Sequence, residues 1–255
     1  MKKILILFEA LLILVVLNCY VFAGPAIELS VDVLSQYIWR GYALSHNSAV
    51  VQPSLTIAYK GFSANIWGNY DTDEDKPGGE SEWNETDYTL SYGYQLFSFL
   101  DVNVGTIYYE LDEAKDSFEI FSGFSLNLKY LDIGFNAYRE VSHYPGWWLQ
   151  FNISKSIDIP YHGMSLDIGT SFIYQNSDDK GTYPDPDDPN KAFDGWQSGN
   201  ISLVMNIPIT EKFIVSPKIM YSFPLSGDAS DEIKMLSWER DDNFIYGGIC
   251  FKYSF

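Results

Sequence analysis

The chain has 255 residues, 16 of them basic and 34 acidic, for a formal charge of −18. So negative a field excludes a nucleic-acid binder, because phosphate contact needs a positive surface. Two cysteines exclude a disulfide scaffold or a multi-cysteine zinc module, and 46% hydrophobic with 17% aromatic residues excludes a disordered chain.

Residues 1–23 read as a secretory leader. Lys2 and Lys3 form its positive end, residues 4–17 are apolar except for Glu9, and Val21-Phe22-Ala23 precede Gly24, so cleavage is expected after Ala23. The apolar run is shorter than the roughly 20 residues of a spanning helix. Lipoprotein processing at Cys19 is the rival, disfavoured by Asn18 where a small residue is needed.

From Ile27 onward the chain alternates. In 27–40 the odd positions Ile27, Leu29, Val31, Val33, Tyr37 and Trp39 are apolar, whereas Glu28, Ser30, Asp32, Gln36 and Arg40 share the other face. Successive side chains of a strand point to opposite faces, so one face is apolar and one is wet. The pattern recurs in 51–60, 62–70, 86–94, 100–109, 118–128, 131–138, 147–154, 164–174, 197–207, 213–223 and 244–255. That makes about twelve strands. Their connections alternate between brief turns and the long segments 71–85, 175–196 and 224–243. This is the signature of an all-β fold, a single antiparallel transmembrane barrel spanning 24–255, with both termini on the short-turn, periplasmic side of an outer membrane. Without the leader the charge is −19, and segments 71–85, 110–117, 176–195 and 224–243 carry −17 of it. Aromatic residues near strand ends, Tyr37, Trp39, Tyr70, Tyr108, Trp147, Tyr174 and Phe223 among them, fit interfacial girdles.

Ile249, Phe251, Tyr253 and Phe255 alternate to an aromatic terminus. Such an ending resembles the signal read by the barrel-assembly machinery, an expected partner beside outer-membrane lipids including lipopolysaccharide. Pro217 falls inside the eleventh strand, where it cannot donate to a ladder, so a bulge or a shortened strand is expected there.

Ser35-Gln36-Tyr37-Ile38-Trp39-Arg40-Gly41 resembles the S-x-Y-x-x-R-G opening of a family of conserved-hypothetical bacterial outer-membrane proteins (Gcw_chp, TorF-like). Gln52, Tyr59, Gly61-Phe62, Trp67-Gly68-Asn69, Asp71 and Glu85-Thr86-Asp87 follow in parallel order, with Trp39 where the family usually has Phe. The resemblance, best over 27–110, implies a β-barrel and no particular substrate.

Alternation turns Arg40, Lys218, Lys252, Asp32, Asp87, Asp101, Glu119, Asp132 and Asp167 toward the lumen. Arg40, Lys218, Glu119 and Asp87 are candidates for a selectivity ring or for neutralising pairs. Lys252 on the last strand is expected near Glu28 or Asp32 on the first, closing the barrel. Trp67 and Trp148 face inward as sugar platforms or as filler. Asp71, Asp73, Asp75 and Glu82 match positions 1, 3, 5 and 12 of a calcium loop, but Lys76 replaces the glycine needed at position 6. Ser142 and His143, near Glu140, are the residues a rim hydrolase would use, without any matching motif. The expected function is therefore passive conduction of small, preferably cationic solutes with no cofactor. The alternatives are a non-conducting barrel presenting acidic loops for structure or adhesion, and a rim hydrolase.

Overall fold

The computed structural model describes residues 24–73, 82–112 and 114–255. The leader and Asp75 lie outside them. Twelve strands close an antiparallel barrel: β1 (Ala26–Leu34), β4 (Val50–Tyr59), β5 (Phe62–Asp71), β6 (Glu82–Phe97), β7 (Leu100–Leu111), β8 (Ser117–Asn127), β9 (Asp132–Glu140), β10 (Gly146–Asp158), β11 (Ser165–Ser177), β12 (Asp194–Pro208), β13 (Phe213–Pro224) and β14 (Phe244–Ser254). Among the described residues a two-stranded hairpin, β2 (Ile38–Trp39) and β3 (Tyr42–Ala43), and one helix, α1 (Gly227–Leu236), complete the fold. Every barrel strand pairs on both sides, which is what a wall in hydrocarbon requires of its backbone.

The outer face carries the apolar set of the alternation. Phe62, Leu90, Val104, Ile120, Ile153, Ile168, Leu203, Ile219 and Phe251 are all exposed. The inner wall is polar and hydrogen-bonded. Asn65 donates to Ser54 and Thr56, Asn127 donates to Asp101 at 2.6 Å, and Asn206 donates to Asp167 at 2.7 Å.

Closure joins β1 to β14 in continuous register from Glu28 opposite Ser254 to Leu34 opposite Gly248. Lys252 Nζ lies 3.4 Å from Glu28, and Lys218 Nζ reaches across β14 to Asp32 at 2.5 Å. At Gly248 the two strands approach so closely that a Cβ would stand 1.8 Å from the Val33 carbonyl oxygen.

The first strand is shorter than its alternation implies. It ends at Leu34, and the chain leaves the wall to enter the bore. Tyr37 and Trp39 therefore are not girdle residues: Tyr37 is 7% exposed, and Trp39 packs against the buried interior cluster. The expectation at Pro217 is also corrected. β13 is neither bulged nor cut short; instead, pairing with β12 runs from Val204 opposite Lys218 to Ile207 opposite Val215 and skips the two positions between. Ser216, just before the proline, donates its hydroxyl to Asn206 at 2.9 Å and bridges that gap with side chains. Pro53 repeats the device, unnoticed in the alternation. β4 and β5 pair at Val51 with Tyr70 and again at Ser54 with Trp67, and Gln52 donates to Asn69 at 2.9 Å across the interval.

Candidate functional site: a plug and its vestibule

Among the described residues, the strand order places 35–49, 72–73, 112, 114–116, 141–145, 178–193 and 225–243 at one rim of the barrel, and the short turns with the start of β1 and the end of β14 at the other. The first of these connections folds inward. Arg40 (φ 47°) and Gly41 (φ 95°) form the two-residue tip of the β2–β3 hairpin. Positive φ at both central residues is the geometry of a type I′ turn. Holding a non-glycine residue there costs roughly 1–2 kcal/mol, so Arg40 must be fixed by its contacts. The stem is closed by Leu44 N–H to the Tyr37 carbonyl and by Tyr37 N–H to Ser45 Oγ, both 2.9 Å.

The tip spans the bore. A Cβ on Gly41 would sit 2.8 Å from Ser198 Cβ, and the Ser198 hydroxyl donates to the Arg40 carbonyl at 3.2 Å. On the opposite side the Arg40 guanidinium donates twice to Glu119, at 2.6 and 2.8 Å. Glu119 is 2% exposed and also accepts the Tyr109 hydroxyl at 2.9 Å. The guanidinium plane lies over Trp39, Tyr138 and Trp148 at 4.5, 4.7 and 4.9 Å. A planar cation suits this box, since it satisfies a bidentate carboxylate and stacks on rings at once. Trp148 is thus part of the box, and Trp67 packs against Tyr37 at 5.6 Å.

Helix α1 lies against the hairpin. Ser226 caps it by accepting the Ala229 N–H, and Ser237 at its far end accepts the Ala43 N–H at 3.1 Å. Trp238 N–H donates to the Ala43 carbonyl. Ile233 of α1 packs with Tyr42, Ala43, Trp148, Ile173 and Phe244 in a buried cluster, so apolar packing inside this barrel gathers around the plug.

Glu232 is fully buried on the same helix and accepts the Tyr42 hydroxyl at 2.6 Å; the Gln175 side chain lies 3.1 Å from that hydroxyl. Desolvation pushes the Glu232 carboxyl up to about 8, opposed in part by the hydrogen bond from Tyr42. Beyond the helix, Asp242 stays an anion, held down to about 2 by hydrogen bonds from Ser230, Lys234 and Asn243 that outweigh its burial. The docked helix favours protonated Glu232, so its stability is fully present below the ordinary carboxylate range and is lost as pH rises through about 8. Tyr42 from the hairpin and Tyr183 from the neighbouring loop are the other titratable groups facing it. Protection of the plug from chymotrypsin, whose targets include Tyr37, Trp39 and Tyr42, should accordingly decline as pH rises from about 4.5 to about 8. Glu232→Gln should remove that decline, and a flat wild-type profile would contradict the burial argument.

The proposed ring residues do not form a ring of one sign. Arg40 meets Glu119, Lys218 meets Asp32, and Asp87 sits beside Glu85. Of the calcium-loop set, Asp71 accepts the Ser48 hydroxyl and the Asp73 N–H, and Glu82 opens β6. Among the described residues no three His, Cys, Asp or Glu side chains converge on a metal position. Ser142 donates its hydroxyl to Glu140, and His143 Nδ1 lies 2.7 Å from the Asp116 carbonyl oxygen, so the serine and histidine are not aimed at each other. Tyr42, Tyr109, Tyr138, Gln175 and Glu232 are site residues that the sequence reading passed over.

No protein-family model matches the chain, the family resembled by residues 35–41 included, and no curated protein matches it. Solved structures do. The KdgM porin aligns over 90% of this chain and 99% of its own, with a TM-score of 0.55 and 12% identity. The NanC porin aligns over 89% and 98%, with a TM-score of 0.55 and 12% identity. The COG4313 outer membrane channel from Pseudomonas putida F1 aligns over 92% and 97%, with a TM-score of 0.56 and 12% identity. At such identities the likeness establishes the barrel fold.

Proposed function

We propose that this chain is an outer-membrane channel for small solutes whose bore is obstructed by its own first loop. The observation that carries the reading is the β2–β3 hairpin inside a polar lumen, its tip clamped by the bidentate ion pair Arg40–Glu119. A barrel meant only to be filled needs no separate segment clamped by a charge; side chains of the wall suffice. The porin names of the structural relatives agree with it. In this reading the termini are periplasmic, and the acidic loops meet solutes and the lipopolysaccharide leaflet. No cofactor is required.

The test is recording from refolded protein in planar bilayers. Open events should prefer cations, because negatively charged loops concentrate them at the mouth. The preference should fade between 0.1 M and 1 M salt as the Debye length falls from about 10 Å to about 3 Å. Anion preference at low salt would instead assign the path to Arg40 and Lys218. The density of side chains around the hairpin favours one second reading, a non-conducting barrel that displays acidic loops. Silence in both wild type and a hairpin-released variant would select it.

A further inference from the structure

Between the hairpin and the rim loops lies a cavity of about 280 Å³. Trp39, Tyr42, Tyr109, Trp148 and Tyr183 supply its aromatic wall. We propose that this cavity binds an organic cation with apolar substituents, of the alkylammonium class. That this ligand is also the transported solute rests on the channel reading above.

Ring faces attract a cation, and their apolar surface suits alkyl groups better than the water shell of a small inorganic ion. The carboxylates on the cavity narrow the class. Glu119 is neutralised by Arg40. Glu140 is saturated by the Ser117 and Ser142 hydroxyls and by the N–H groups of Ser142, His143 and Tyr144. Glu85 is 7% exposed, lines the cavity, and has no cationic side chain paired with it among the described residues. Asp87 stands beside it, within hydrogen-bond reach of its carboxyl. An anionic ligand meets repulsion from Glu85 here, and a neutral one leaves Glu85 without a counter-charge. A cation seated against Glu85 also touches Trp39 and Tyr42, the residues on either side of the Arg40–Gly41 tip. Occupancy is thereby coupled to the hairpin.

The experiment titrates the refolded full chain in detergent with tetraethylammonium chloride, following tryptophan fluorescence. Sodium chloride serves as the ionic-strength control and cellobiose as the neutral arm. The expected result is a saturable response to tetraethylammonium alone. Glu85→Gln and, independently, Tyr183→Ala should each weaken it by about tenfold while leaving the mobility of unboiled samples on gels unchanged. Tyr183 lies in a loop, so its variant keeps the test sound if Glu85→Gln fails to fold. A response no different from sodium chloride would overturn the proposal, as would saturable cellobiose binding indifferent to Glu85→Gln. Bilayer recordings separate the two readings. Tetraethylammonium binding by a barrel that never conducts supports the site and refutes the channel; conduction without tetraethylammonium binding refutes the site and leaves the channel standing.

Discussion

Replacing Arg40 by alanine should open the bore. The substitution leaves Glu119, 2% exposed, with the Tyr109 hydroxyl as its remaining hydrogen bond and no counter-charge. Removing one partner of a buried ion pair costs about 3–5 kcal/mol. The anchors that remain, such as Ser198 to the Arg40 carbonyl and Tyr42 to Glu232, each contribute on the order of 1 kcal/mol as net hydrogen bonds. The docked hairpin, still packed on Ile233 through Tyr42 and Ala43, should therefore release for a much larger share of the time. Unit conductance is expected to rise several-fold, and chymotrypsin should cleave within 35–49. The unboiled gel band should keep its mobility, because the wall does not depend on the hairpin for its own pairing. Arg40→Lys should fall between wild type and alanine: it keeps the charge but loses the second hydrogen bond and the flat stacking surface. Adding Glu119→Gln to Arg40→Ala should restore part of the docking, since the stranded charge is then gone. Unchanged conductance and unchanged protease resistance in Arg40→Ala would mean that the ion pair does not hold the plug.

The second large effect is expected at the terminus, and in cells rather than in vitro. Phe255 donates its N–H to the Ile27 carbonyl at 3.0 Å, and its ring, 54% exposed, stands edge-on to Tyr253 at 4.9 Å. Phe255→Lys keeps the backbone bond. A lysine near the membrane interface costs roughly 0–1 kcal/mol, so refolded protein should melt and conduct as wild type does. Assembly is different if the machinery reads the alternating aromatic end formed by Ile249, Phe251, Tyr253 and Phe255, all exposed on one face. Outer-membrane yield should then drop several-fold, with degradation in the periplasm. Wild-type surface levels would dismiss the terminal segment as a signal; failure to refold in vitro would make Phe255 a stability residue instead.

The wall was legible because each strand separates an apolar environment from a polar one, so alternation survives even in short segments such as 62–70. The plug was not, for a physical reason. Tyr37 and Trp39 continue the phase of β1, and an aromatic ring fills a lumen as readily as it faces lipid. Two signals were nevertheless present. The Arg40-Gly41 pair is followed by the polar run Ser45-His46-Asn47-Ser48, which marks a turn and a return before β4 begins. In 224–243, Ser226 precedes Ala229, Ile233 and Leu236 at helical spacing, the pattern of a capped amphipathic helix. The acidic content of that segment hid Glu232, which turns inward and sheds its charge. Pro53 escaped notice for the opposite reason: the alternation around it is regular, and its missing rung is visible only in the pairing of β4 with β5.

The stem of the hairpin is tied to the closing seam. Ser35 N–H donates to the Gly247 carbonyl, and Gly247 N–H returns a bond to Ser35 Oγ. Ser198, Glu232 and Ser237, which hold its tip and flank, also come from the last third of the chain. The Ser35–Gly247 bonds cannot form until β14 has met β1, a contact that joins the first and last strands and is among the slowest kinds to form. Time therefore orders the molecule differently from sequence. The segment made among the first gains its full set of bonds only with the last strand, since the stem is fixed by Gly247.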